Sequence, residues 1–196
     1  MGWCAVNWMA STSASVISSK PVRRWRRGCA AALLLAAALA ATADEVFLEP
    51  ASFVAEAFAG TPPAPRKLWV KPALNERVRA ILGTTLPALR QKYWADAERT
   101  VWILEASGRD RPITVGFVIA DGAIQRTAIL IYRESRGAEV RYPFFTDQFS
   151  GALLRPDGEL DRHIDGITGA TLSVHAINGL ARVALLLDHE ARTIVQ

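Results

Sequence analysis

Residues 113–132 read ITVGFVIADGAIQRTAILIY. Ile113 to Ala120 is an apolar run of strand length, and Ala123 to Tyr132 is a second, with Ile129, Leu130 and Ile131 nearly continuous. The two residues between them are Asp121 and Gly122, a pair that tolerates the positive φ angles of a tight hairpin turn. The stretch therefore predicts two antiparallel strands joined by a short turn. Upstream, Val101 to Ala106 predicts a third strand that ends at a Ser107-Gly108 turn. Further back, Leu68-Trp69-Val70 suggests a short strand, and Gly60-Thr61-Pro62-Pro63-Ala64-Pro65 a linker or turn, because prolines fix φ and lack donors. Ala73 to Leu82 predicts a helix, since Leu74, Val78, Ile81 and Leu82 recur at i, i+4, i+7 and i+8 before Gly83. A second short helix is expected over Leu86 to Tyr93, and Asp44 to Ala59 reads as weakly helical.

Downstream, Tyr142 to Phe149 suggests a short helix or loop packed on the sheet, and Asp157-Gly158 a turn. Ala170 to Leu187 is the clearest helix in the chain. It is apolar on most sides (Leu172, Val174, Ile177, Leu180, Val183 and Leu185 to Leu187), which predicts burial against the sheet. Gly179 inside it suggests close packing, because a mid-helix glycine costs about 1 kcal/mol against alanine. Ile194-Val195 is expected to close the chain as a short strand. Hairpin-joined strands with helices before and after argue for an α+β fold, a small antiparallel sheet packed with helices.

The charge is unevenly placed. The chain has 23 basic and 19 acidic residues, but five of the basic ones and none of the acidic ones lie in residues 1–43. The rest carries a net charge of −1, so no nucleic-acid partner is expected for the folded part. Residues 1–43 read as an N-terminal extension and a leader. Arg23-Arg24-Trp25-Arg26-Arg27 precedes an Ala/Leu-rich stretch to Ala41, and Ala41-Thr42-Ala43 offers a small-x-small cleavage site. The apolar run is shorter than the ~20 residues that span a bilayer core. Cleavage is expected after Ala43, with a periplasmic mature chain starting at Asp44. Both cysteines, Cys4 and Cys29, fall in the leader. The remainder therefore has no disulfide, iron–sulfur cluster, c-type haem attachment or cysteine nucleophile.

The segment richest in chemistry is Asp165-Gly166-Ile167-Thr168-Gly169-Ala170-Thr171-Leu172-Ser173. It is a glycine-containing turn running into the start of a long helix. A helix N-terminus presents unpaired N–H groups and partial positive charge, which suits a phosphate. Gly169 and Ala170 are small enough for close approach, and Thr171 supplies a hydroxyl. The plainer reading has Thr168 or Thr171 as a helix N-cap and Asp165-Gly166 as a turn. His163, His175 and His189 lie 12 and 14 residues apart and do not suggest a ligand cluster. No nucleophile elbow or catalytic triad is visible.

The segment resembles the flavinylation motif Asp-x-x-Ser/Thr-Gly-Ala-Thr of the FMN-binding domain family. That family includes the periplasmic flavin subunits of the sodium-pumping NADH:quinone oxidoreductase and of the Rnf complex. The resemblance implies FMN joined to Thr171 through a phosphoester, made by a magnesium-dependent flavin transferase that reads Asp165, Thr168, Gly169 and Ala170. Gly166, Ile167, Leu172 and Ser173 are implied as neighbours of the cofactor, and Ser173 is a rival acceptor or a hydrogen-bond donor to the phosphate. Tyr132-Arg133-Glu134-Ser135-Arg136-Gly137 resembles the family's Glu-x-x-Gly loop, which adds Glu134 and Gly137, although Ser135-Arg136 replaces the Thr-Pro of the Rnf-type loop. Phe149-Ser150-Gly151 resembles the aromatic-to-glycine element that follows.

The resemblance covers roughly Val101 to Leu187 and leaves Asp44 to Arg99 without explanation. The implied organisation is a leader over 1–43, a helical segment without assigned role over 44–99, and an FMN-binding domain over 100–196. Trp102, Tyr132, Tyr142, Phe144, Phe145 and Phe149 are candidates to pack on the flavin ring, or simply core. Arg133, Arg136 and Arg141 are candidates for the phosphate, an acidic partner or solvent. The function implied is that of an extracytoplasmic electron carrier working with a membrane-bound oxidoreductase. The alternative is a scaffold module of the same fold without flavin, and a third possibility is a reductase acting on a small substrate.

Overall fold

The computed structural model describes residues 45–195. The leader assigned to residues 1–43 lies outside them. Six strands form one sheet: β1 (Glu45–Val46), β2 (Arg66–Trp69), β3 (Arg90–Ala95), β4 (Arg99–Ser107), β5 (Pro112–Ala120) and β6 (Ala123–Tyr132). Their order is β1-β6-β5-β4-β3-β2, with every neighbouring pair antiparallel. Four helices accompany the sheet: α1 (Pro50–Ala57), α2 (Pro72–Leu82), α3 (Pro143–Thr146) and α4 (Thr171–Val195). This is an α+β architecture, as the grouping of hairpins and helices in the sequence predicts.

The expected β5–β6 hairpin is present. Asp121 and Gly122 both take positive φ, +53° and +74°, which is the type I′ geometry whose twist matches the flanking strands. Ile113 to Ile119 is buried at every residue, because both faces of β5 are covered. On the inner face lies α4. Its Ile177, Leu180, Val183 and Leu187 are fully buried in one core with Trp102, Ile113, Val115 and Phe117. On the outer face α1 buries Phe53 and Val54 against Val101, Val118 and Leu130.

Each helix starts and stops where local chemistry dictates. Pro50 and Pro72 occupy the first turn of α1 and α2, where a missing N–H costs nothing. Gly83 ends α2 in the left-handed region at φ +71°, its N–H donating to Arg79 O at 2.8 Å. Gly179 lets α4 press on α2, since a Cβ there would lie 2.8 Å from the Leu82 side chain.

Two expected elements differ. The helix expected over Leu86 to Tyr93 is instead a turn followed by β3. Tyr93 and Ala95 point into the core and Trp94 points out, the period-2 pattern of a strand. Pro87 and the β-favouring Tyr93-Trp94 pair outweigh the short apolar spacing that suggested a helix. The closing strand at Ile194-Val195 is the last turn of α4, which continues the helical hydrogen bonding beyond Leu187. Residues 44–99 supply β1, β2 and β3 to the same sheet, together with α1 and α2. Tyr142 to Phe149 folds as α3 and a single 3-10 turn, Asp147–Phe149.

Gly116 marks the tightest contact between layers. A Cβ at this position would sit 2.4 Å from the Phe53 ring. Gly116→Ala should therefore force α1 away from the sheet and cost about 1–3 kcal/mol, read as a fall in the urea midpoint at unchanged slope.

Candidate functional site

The turn that leads into α4 sets the geometry of the site. Ala170 N–H donates to Ile167 O at 3.0 Å, and Gly169 has φ +85°, a conformation that only glycine adopts without strain. Val174 N–H then donates to Ala170 O at 2.9 Å, which makes Ala170 the N-cap and Thr171 the first residue inside the helix. Neither Thr168 nor Thr171 is thus the N-cap. The N-cap side chain is a methyl group, so it cannot accept from the amides of the first turn. Thr171 is exposed at this N-terminus, as is Leu172, whereas Ser173 is buried.

The loop after β6 packs directly on this turn. Gly137 takes φ +86°, and a Cβ on it would lie 2.9 Å from Ala170 Cβ and 2.8 Å from Tyr132 Oη. Small residues at 137 and 170 therefore permit one another. Tyr132, at the end of β6, holds the two segments together. Its buried hydroxyl donates to Arg136 O at 2.5 Å, and Ser173 Oγ lies 3.0 Å away. Because the phenol proton is committed to Arg136 O, the Ser173 hydroxyl is the donor of the second bond. Burial pushes the Tyr132 phenol above its usual pKa, and the Glu134 and Glu139 carboxylates add to this, against the opposing bond from Ser173. The phenol stays protonated and can keep donating.

The third wall comes from the β4–β5 turn. Glu134 Oε1 accepts from the Asp110 and Arg111 N–H groups at 2.8 and 3.0 Å. A Cβ on Gly108 would lie 2.7 Å from that same oxygen, so Gly108 admits the carboxylate. Between these walls lies an open cleft of about 530 Å³, lined by Arg109, Asp110, Glu134, Ser135, Arg136 and residues 169–173. Its size falls within the ~300–1,000 Å³ of small-molecule sites. Its chemistry suits a phosphate-bearing ligand, with helix amides and two exposed guanidinium groups in one cleft.

The structure brings together some of the residues singled out by sequence and separates others. Gly169, Ala170, Thr171, Leu172, Ser173 and Glu134 line the cleft, and Gly137 supports it from behind. Asp165, Gly166 and Thr168 are exposed outside it. The Asp165 N–H donates to Gln148 Oε1 at 2.6 Å, and its carboxylate lies 3.7 Å from His163. Ile167 is half-buried and packs on the core. Ser173 spends its proton on Tyr132, which removes it as a free hydroxyl.

Among the six aromatics, Trp102, Tyr132, Phe145 and Phe149 are fully buried core, while Tyr142 and Phe144 are exposed and stack on each other at 6.3 Å. Among the three arginines, Arg136 alone lines the cleft. Arg133 bonds Thr114 Oγ1, and Arg141 pairs with Glu45 while covering the Phe47 ring. Arg109 and Asp110 escaped the sequence reading. The Ser107-Gly108 turn signalled a hairpin, but its contact with Glu134 is tertiary. No group of His, Cys, Asp and Glu among the described residues is arranged to hold a metal ion.

The Tyr132 bonds yield a test. Tyr132→Phe keeps the ring but leaves Arg136 O and the Ser173 hydroxyl short of a partner, which should cost about 1–3 kcal/mol in chemical denaturation. The double variant with Ser173→Ala should lose less than the sum of the single losses, because the two groups are coupled.

No curated protein and no solved structure matches the chain. A family model does match, that of the FMN-binding domain, over residues 108–186. The match begins at the glycine that admits Glu134, takes in every wall of the cleft and runs through most of α4. Residues 108–186 are thus an FMN-binding domain.

Proposed function

We propose that the protein is an extracytoplasmic electron carrier whose FMN is esterified through its phosphate to Thr171. One observation carries this reading: the exposed Thr171 hydroxyl stands at the first position of a 25-residue helix whose N-cap has no polar side chain. A phosphate on Thr171 would meet the free amides of that turn and the positive end of the helix dipole. Arg109 and Arg136 in the same cleft would add charge-assisted bonds to it. Ser173 is a poor rival acceptor, since its hydroxyl is buried and bonded. Tyr142 and Phe144 are the exposed members of the candidate aromatics for a flavin ring. Gln148 ties α3 to the motif by bonding Phe144 O and the Asp165 N–H.

When bound, the isoalloxazine supplies electron transfer, taking two electrons together and releasing them singly. The chain's own part is to hold, orient and charge-balance the cofactor. A flavin transferase would attach it, reading the exposed Asp165, Thr168 and Gly169. Covalent attachment suits a compartment outside the cytoplasm, where a dissociated cofactor is lost. A membrane-bound oxidoreductase is the partner that the family resemblance implies.

Co-expression with a flavin transferase and export should yield a band that fluoresces after denaturing electrophoresis. Thr171→Ala should abolish the fluorescence and Thr171→Ser should retain it. A dark native band beside an active transferase would favour a scaffold of the same fold. The chain recovered from the periplasm should begin at Asp44, which N-terminal sequencing reads directly; an intact leader there would rule out cleavage after Ala43.

A further inference from the structure

The outer face of the sheet is covered unevenly. α1 shields it over β4, β5 and β6, where Phe53 and Val54 meet Val101, Val118 and Leu130. Over β2 and β3 that face carries Lys67, Trp69, Arg90, Lys92 and Trp94, which the alternation of each strand places on one side; Trp94 is half-buried against the cluster beneath α1 and Trp69 stands clear of it. Trp69 is 56% exposed, and Leu89 just before β3 is 71% exposed. Arg90 lies over the Trp69 ring at 4.0 Å and Lys92 over the Trp94 ring at 5.0 Å.

The cations here lack the carboxylate partners that several others have. Arg77, Arg126, Arg155 and Arg182 each reach a carboxylate at 2.9 Å or less. Among the described residues no carboxylate lies within ion-pairing distance of Lys67, Arg90 or Lys92. All three lysines that follow residue 43, Lys67, Lys71 and Lys92, fall on or beside this edge. Lysine on an edge strand blocks sheet-to-sheet pairing. That purpose does not account for an exposed tryptophan beside it.

We propose that this β2–β3 face docks the protein on an anionic phospholipid surface. Uncompensated cations interleaved with indoles match the headgroup layer. Lysine and arginine stems lie along apolar surface there with their charges at the phosphates, and tryptophan settles at the apolar–polar boundary. An acidic protein would complement the charge but gives no reason for an exposed indole to stand beside unpaired cations. Four strand spacings, ~19 Å, separate β2 from β6, so a bilayer held here leaves the cleft beside Thr171 open. The inference does not depend on flavin.

The chain beginning at Asp44 carries the whole sheet and its core, and its tryptophans are Trp69, Trp94 and the buried Trp102. Tryptophan emission therefore reports on this face. Vesicles of phosphatidylcholine with phosphatidylglycerol should pellet the protein and shift its emission to the blue; pure phosphatidylcholine vesicles should do neither. Added salt should weaken the binding. K67E/R90E/K92E should lower affinity by about 100-fold or more, and the neutral triple glutamine variant should fall between it and the native chain. Far-ultraviolet circular dichroism checks that both variants fold. No pelleting with anionic vesicles, or equal binding by the native chain and both variants, overturns the proposal. So does a blue shift with poly-glutamate and none with vesicles, which would assign the face to an acidic protein.

Discussion

The burial of α4 against the inner face of β4 and β5 is the contact on which everything else rests. Fully buried side chains such as Ile177, Leu180, Val183 and Leu187 contribute about 1.5–3 kcal/mol each. Because interiors pack at crystal-like density, the helix has essentially one seating. That seating decides where the first turn of α4 stands. Gly179 against Leu82 closes the helix on α2, and Gly137 against Ala170 closes the loop after β6 on the helix start. The cleft is what remains between three segments that the core has already fixed.

Within that frame, Tyr132 ties the cleft to the core. It ends a strand, lies buried beneath the cleft, and bonds both the loop backbone at Arg136 and the helix at Ser173. Glu134 does the same for the hairpin turn by accepting two amides with one oxygen. The cleft is built mostly from loops, yet each loop is tied by a side chain or a glycine contact to a regular element. Its lining can therefore be precise without being part of the core.

Much of this was legible in the sequence because it is local. The β5–β6 hairpin was written in Asp121-Gly122 and in two long apolar runs, and α4 in a long run apolar on most sides. The motif from Asp165 to Ser173 was visible as a turn entering a helix. What could not be read was tertiary or ambiguous. Leu86 to Tyr93 is too short for its spacing to separate helix from strand, and Ile194-Val195 is β-branched but lies within the reach of a helix already under way. Arg109 and Asp110 join the cleft only through Glu134, residues distant in the chain. The commitment of the Ser173 hydroxyl to Tyr132 depends on a contact 41 residues long. Sorting core aromatics from Tyr142 and Phe144 required the packed fold itself.

The N-cap of α4 has one more consequence. Serine, threonine or aspartate at that position stabilises a helix by about 0.5–2 kcal/mol over alanine. The chain keeps Ala170 there, packed against Gly137, so α4 begins with its amides unsatisfied by any side-chain cap of its own. A phosphate carried on Thr171 would complete that end. Maturation and helix stability would then be linked through one residue, and the unmodified form would be the looser of the two at the mouth of the cleft.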